Sequence, residues 1–220
     1  VNHCVAHIEI GKMETKAKYP VIVYLSGGNT QILAYVDGAY RIFGEAQDIP
    51  IGNCLDVVAR EMNLQMPGGP QIELFAKNGN YVELPYVVKG MDLSFTGITT
   101  DAIEKLKSGE KKENIAYSLQ ETCFAMLTEV TERALAHTGK NEVLLVGGVA
   151  ANKRLQEMMN KMCESRGAKF FVVSQKYSGD NGSMIGWVGI LGLKSKNLTK
   201  IKNSKIEQNW RTDQMRITWV

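Results

Sequence analysis

The sequence predicts an α/β fold, and three stretches carry that prediction. Val21–Tyr35, VIVYLSGGNTQILAY, reads as a β-hairpin with a glycine tip. Glu142–Val146 reads as a buried strand that ends in Gly147-Gly148-Val149-Ala150-Ala151-Asn152 and feeds a helix reaching about Arg166. Between them, Tyr117–His137 places Leu119, Cys123, Phe124, Leu127, Val130 and Ala134 on one face of a long amphipathic helix. The chain has 220 residues, 44% hydrophobic and 22% charged, enough for one large domain or two small lobes of a globular protein.

In chain order, His3–His7 opens a helix running to about Gly11. The hairpin follows, and after the turn Val36-Asp37-Gly38 a third strand covers Tyr40–Glu45. Ile51 starts a helix to about Leu64, with Leu55, Val58, Ala59 and Met62 as its apolar stripe. Met66-Pro67-Gly68-Gly69-Pro70 is a breaker loop before a helix that opens at Gln71. Lys89–Gly97 is a strand-and-turn segment, and Ile98–Lys107 is helical. Lys169–Val173 is a further strand, and Ser178–Gly182 leads to a helix over Ser183–Leu193. Gly182, Gly186 and Gly189 give that last helix a small-residue face suited to close packing. Leu155, Met158, Met159 and Met162 are core residues rather than a metal box.

Composition excludes some classes. The longest apolar run, Met184–Leu193, is interrupted by glycines and too short for a bilayer. Val1–Lys12 lacks the pattern of a signal peptide, and a chain opening on Val1 reads as a fragment shorn of an N-terminal part. Cys4, Cys54, Cys123 and Cys163 form no C-x-x-C pair, so they read as reduced thiols and not as a zinc cage. The net charge of +3 is compatible with RNA without pointing to it. Lys194, Lys196, Lys200, Lys202 and Lys205 read first as a solvated, linker-like stretch.

Three features carry chemistry, each with a plainer alternative. Gly27-Gly28, flanked by hydroxyls, bare backbone N–H groups that cradle a phosphate, or simply turn a hairpin. His3 and His7 stand at i and i+4, so both imidazoles share one helix face and serve one ion, or are two surface histidines. Asp180, at a loop tip ahead of a helix, is the candidate third ligand; two histidines and a carboxylate recur at iron and zinc sites. Asp56 in a first turn equally satisfies the helix dipole. His137 has no such partner and reads as structural.

In order along the chain, NHCVAHIEIGK, YLSGGNTQILAY, GNCLDVVARE, GGPQIE, VELPYVVKGMDLSFTGI, SLQETCFAML, LLVGGVAANKRLQEMM, SGDNGSMIG and WRTDQMRITW resemble the catalytic subunit of the KEOPS complex. That family is the tRNA threonylcarbamoyladenosine synthase once called O-sialoglycoprotein endopeptidase. Asn29 is similar to the archaeal and eukaryotic cytosolic branch. The resemblance implies an actin-like, sugar-kinase-like (ASKHA, RNase H-like) two-lobe fold. Residues 1–20 would then be a remnant of the first lobe with the metal-binding helix, and 21–220 the second lobe with the phosphate hairpin, nucleotide cleft and last metal ligand. The family's earlier segment, with a first phosphate hairpin, lies outside this chain.

The resemblance further implies a metal-dependent acyltransferase. It moves the threonylcarbamoyl group from threonylcarbamoyl-adenylate to the exocyclic amine of adenosine next to the anticodon, in tRNAs reading codons that begin with A. It implies one divalent ion per subunit, iron or zinc ahead of magnesium, on His3, His7 and Asp180, with Tyr24 beside it as a further candidate ligand. Tyr24, Leu25, Ser26, Gly27 and Gly28 match phosphate and acyl contacts, the last three catalytic. Asp56, Gly69 and Glu73 match ribose contacts, and Asn152 an adenosine-side contact of an ATP-like adenylate ligand. Implied partners are tRNA and other KEOPS subunits, one kinase-like, with no membrane; the implied location is cytoplasmic and nuclear, cytoplasmic alone in an archaeon.

Rival readings fare worse. A zinc protease of the H-E-x-x-H type needs a glutamate between its histidines, where this chain has Cys4, Val5 and Ala6. No acidic base of a sugar kinase is apparent. A non-catalytic nucleotide-binding subunit remains as the alternative. The absence of a clear Ser-His-Asp or Cys-His arrangement suits positioning and electrostatics better than covalent catalysis.

Overall fold

In the computed structural model, which describes residues 1–220, five strands form one mixed sheet. They are β1 (Val21–Leu25), β2 (Thr30–Val36), β3 (Ala39–Glu45), β6 (Glu142–Val146) and β7 (Lys169–Val172), in the order β3-β2-β1-β6-β7. β1 pairs antiparallel with β2, from Val21↔Ala34 to Leu25↔Thr30, and β2 antiparallel with β3. On its other side β1 pairs parallel with β6, from Val21↔Val143 to Tyr24↔Val146, and β6 parallel with β7. All five β1 residues are buried, as a central strand with both faces covered requires. A two-stranded hairpin, β4 (Val88–Lys89) and β5 (Asp92–Leu93), forms a second sheet and touches the chain beyond β3 through an Ala46↔Leu93 bridge.

The helices are α1 (His3–Thr15), α2 (Ile51–Glu61), α3 (Gly68–Ala76), α4 (Thr96–Lys107), α5 (Lys112–Thr138), α6 (Lys153–Ser165), α7 (Gln175–Ser178) and α8 (Gly182–Lys194). None is long and apolar enough to cross a membrane. The side chains of Val5, Ile8 and Ile10 on α1 enter the same 50-residue hydrophobic core as the sheet and α5. A Cβ at Gly11 would lie 2.7 Å from Val146 Cγ1, so α1 sits close over β6. Asn2 caps α1, its Oδ1 accepting from the Val5 N–H at 3.1 Å. His137 packs edge-on against Phe43 and is structural, as expected.

Several elements differ from the sequence reading. α1 continues four residues past Gly11 and closes at Lys16 in a left-handed conformation. Gly68 and Gly69 are the first turn of α3 and not a loop, because Pro67 stands at the N-cap with its φ already set for helix entry. The glycine face of α8 packs against nothing: a Cβ at Gly182, Gly186 or Gly189 would meet no atom within 4 Å. α8 meets α1 and buries Met184 and Val188 instead, since bulky residues at i and i+4 gain more from burial than glycines do.

Asp48 fastens the segment between β3 and α2 to the start of α4. Its carboxylate accepts from the Ile49, Phe95 and Thr96 N–H groups at 2.7, 2.9 and 2.8 Å, and from Ser94 Oγ at 2.5 Å. Partial burial pushes this carboxyl up, but those four donors outweigh it and hold it well below the usual carboxylate range. Asp48→Asn should therefore cost about 1 kcal/mol, the typical worth of a cap. With the folded pKa depressed, the contribution is present above the unfolded value of about 4 and is lost as pH falls through the folded one. Urea unfolding of both proteins at pH 7 and pH 3 checks this: the difference should shrink at pH 3.

Candidate functional site

Because β1 and β6 run parallel, their carboxyl ends emerge side by side. The Ser26–Asn29 tip follows one and the 3-10 turn Gly148–Ala151 follows the other. Outside the carboxyl ends of parallel strands is where α/β sheets hold ligands. Gly147 makes the meeting possible. Its φ is +94°, and a Cβ there would stand 2.2 Å from the Leu25 carbonyl oxygen. A Cβ at Gly52, in the first turn of α2, would likewise stand 2.6 Å from the Ser26 carbonyl oxygen.

These approaches enclose a cavity of about 240 Å³, edged by Gly27, Gly52, Asp56, Gly69, Glu73 and Gly148, with Asn152 also in its wall. Asp56 and Glu73 each spend one oxygen on the scaffold. Asp56 Oδ1 accepts from the Gly68 N–H at 2.7 Å and Glu73 Oε1 from the Lys153 N–H at 2.9 Å. The second oxygen of each makes no hydrogen bond. Asn152 is anchored at both ends of its amide: its Oδ1 caps α6 at the Leu155 N–H and its Nδ2 donates to Gln120 Oε1, both at 3.1 Å, with one N–H still free.

The hairpin tip is less bare than the sequence suggests. Ser26 Oγ accepts from the Gly28 N–H at 3.3 Å and the Asn29 N–H at 3.0 Å. The Gly27 N–H is left without a partner. Gly27 faces the small cavity, while Gly28 edges a wider one of about 1190 Å³ that also reaches His3, Cys4 and the 203–212 segment. The tip thus stands between two cavities.

Beside it, donor atoms of His3, His7 and Asp180 lie within 4.8 Å of one another. One Asp180 oxygen is 3.2 Å from His3 Nε2 and 3.0 Å from His7 Nε2. Burial pushes the His7 pKa down against the upward pull of Asp180, which favours the neutral, ligating imidazole. His7 Nδ1 is buried without a hydrogen-bond partner. The donor set fits zinc or iron. The Tyr24 ring stacks at a tilt on His7, centroids 5.3 Å apart. Burial first, then the neighbouring Cys4 thiol, push the Tyr24 phenol well up.

Sequence reasoning missed Gly52, Leu55, Pro67 and Pro70, which complete the small cavity. Gly52 carried a signal, a glycine in the first turn of a helix that follows a glycine-tipped hairpin. Leu55 carried none, being one of four stripe residues.

A mixed sheet whose paired parallel strands end in glycine turns, with a cavity between turns and helix starts, is a lobe of the actin-like fold. Solved structures agree on the fold. Full-length HypF, in its phosphate- and nucleotide-bound form, superposes with a TM-score of 0.72 at 14% identity over 90% of this chain and 44% of its own. The activator of 2-hydroxyisocaproyl-CoA dehydratase from Clostridium difficile gives 0.55 at 14% identity over 90% of this chain and 69% of its own. Residues 1–187 match the model of the TsaD family, tRNA N6-adenosine threonylcarbamoyltransferase, and this chain belongs to that family. The chain is 56% identical over its whole length to a probable bifunctional tRNA threonylcarbamoyladenosine biosynthesis protein of Methanosarcina barkeri, spanning 40% of that relative. It is 54% identical to the tRNA N6-adenosine threonylcarbamoyltransferase of Methanococcoides burtonii, spanning 66% of it.

Two glycines of the site should respond oppositely to a methyl group. Gly52→Ala drives Cβ into backbone that cannot swing aside and should cost about 1–3 kcal/mol. Gly27→Ala meets open space and should stay within about 0.5 kcal/mol. Denaturant unfolding of both variants measures the contrast.

Proposed function

We propose that this chain is the metal- and nucleotide-holding part of a tRNA threonylcarbamoyltransferase. It would take threonylcarbamoyl-adenylate, bind one divalent ion (iron or zinc before magnesium), and serve tRNAs that read codons beginning with A. The observation that carries the reading is the hairpin tip between two cavities, one edged by Asp56 and Glu73, the other by His3. The adenylate's nucleoside belongs in the first, and its phosphate and acyl group belong at the tip.

Asp56 and Glu73 offer their uncommitted oxygens to the ribose hydroxyls, beside the open backbone of Gly69. Asn152 holds the 148–151 turn in place by capping α6. Tyr24 and Leu25 deliver the tip from a buried strand. Ser26 fixes the tip by engaging two amides rather than attacking the substrate. The Gly27 N–H is then the donor placed to take up charge developing on phosphate or acyl oxygen. His3, His7 and Asp180 would hold an ion, with Tyr24 beside it as a further candidate ligand, and that ion would supply Lewis-acid polarisation. The tRNA amine forms the new carbon–nitrogen bond as the carbon–oxygen bond to AMP breaks; the amine's proton passes to the departing phosphate or to water, so no strong base is needed.

Peptide hydrolysis is disfavoured because Glu9, the glutamate nearest in sequence to His7, is buried and receives the Tyr40 hydroxyl's hydrogen bond, with Lys12 beside it. A net charge of +3 is thin for gripping tRNA, whose phosphates dominate affinity. The exposed lysines 194, 196, 200, 202 and 205 add a basic patch, and other KEOPS subunits, including a kinase-like one, would supply the rest. The relatives reported above are archaeal, which favours the cytoplasm over the nucleus.

The test uses this chain in its full-length context with partner subunits, labelled threonylcarbamoyl-adenylate and tRNA, and separately a glycoprotein. Label should reach the tRNA with no proteolysis. His7→Ala should lose both the metal, by elemental analysis, and the transfer. Metal-dependent proteolysis with unlabelled tRNA would overturn the proposal.

Asp56→Asn keeps an acceptor for the Gly68 N–H but removes the charge offered to the ribose. AMP binding should weaken by about 1.5–3 kcal/mol, the worth of a hydrogen bond to a charged group. Unchanged affinity in calorimetry removes Asp56 from the ribose site.

A further inference from the structure

We infer that Glu14 is a positioning residue for the metal corner, setting the path of the segment that carries Asp180. The inference rests on reading His3, His7 and Asp180 as metal ligands. It adds a residue that touches neither metal nor substrate.

The Asp180 side chain is 78% exposed, and its carboxylate meets only the two imidazoles. Its place must therefore come from the backbone on either side. Downstream the anchor is local: Asn181 Oδ1 caps α8 at the Met184 N–H, 2.9 Å away, and Asn181 Nδ2 donates to the Gly179 carbonyl at 2.9 Å. Upstream, the last sheet-type bond runs from the Val173 N–H to the Leu145 carbonyl. At the next residue the Ser174 N–H donates to Glu14 Oε2 at 2.8 Å. Ser174 is the N-cap of α7, and that bond ties the start of the 174–180 segment to α1.

Glu14 stands seven residues beyond His7, two turns along α1, and so on the same helix face. That one face grips the segment at both ends: Glu14 at Ser174, the histidines at Asp180. Between those points α7 packs on α1 and on the Gly148–Ala151 turn that edges the nucleotide cavity. A stray surface hydrogen bond is the competing account. It predicts a small change in stability and none in metal affinity, since an exposed bond contributes little to global folding while ligand placement depends on it directly.

The experiment is a zinc titration by calorimetry on wild type, Glu14→Ala, Glu14→Gln and His7→Ala, with metal-free thermal unfolding of each. Glu14→Ala should bind zinc roughly tenfold more weakly, the low end of losses when outer partners of metal ligands are changed. Its metal-free melting temperature should match wild type. Glu14→Gln, whose amide oxygen can still accept from Ser174, should bind close to wild type. A His7-dependent zinc site indifferent to Glu14→Ala, or Glu14→Gln as weak as Glu14→Ala, overturns the inference alone. Wild type with no His7-dependent zinc site overturns the metal reading and the inference with it.

Discussion

Parallel pairing of β1 with β6 is the constraint from which the rest follows. It sends Leu25 and Val146 out at one end of the sheet, and two glycine turns must then share that end. Backbone meets backbone there, at distances no side chain tolerates: Gly147 against the Leu25 carbonyl, Gly52 against that of Ser26. The same strand pair supports α1, which lies over β6 at Gly11. One buried strand pair therefore fixes the hairpin tip, the Gly148–Ala151 turn and the helix that carries both histidines.

Each functional group in the site is held by a second bond that leaves part of it free. Asp56 and Glu73 give one oxygen to a backbone N–H and keep one. Ser26 gives its hydroxyl to the tip and leaves the Gly27 N–H open. This arrangement lowers the entropy of ordering a side chain at the moment a ligand arrives, because the scaffold has already ordered it.

Much of this was legible in the sequence because it is local. The i, i+4 histidines, the glycine hairpin and the strand–turn–helix at 142–166 are set by spacing, and the structure keeps them. The stripes of α2 and α5 were equally legible, since periodicity reports burial. What was not read was partly local detail and partly long-range packing. Nothing in the spacing of Gly68-Gly69 says whether they end a loop or start a helix; Pro67, through its fixed φ, decides it. The glycines of α8 looked like a packing face, but which face turns inward depends on α1, near the other end of the chain. The capture of the Gly28 amide by Ser26 Oγ is a matter of rotamer, which a sequence does not carry.

The corner where His3, His7 and Asp180 meet shows how far local and non-local information must combine. α1 alone brings two imidazoles to one face, which spacing guarantees. Asp180 reaches them only because β7 lies beside β6, and because the chain then turns back along α1 before α8 begins. A carboxylate that exposed has no packing to orient it, so its reach is set by the backbone bonds of its own segment. Preorganisation at this corner is thus a property of sheet order and helix face together, and the exposed acid is as much a product of the core as the buried histidine it meets.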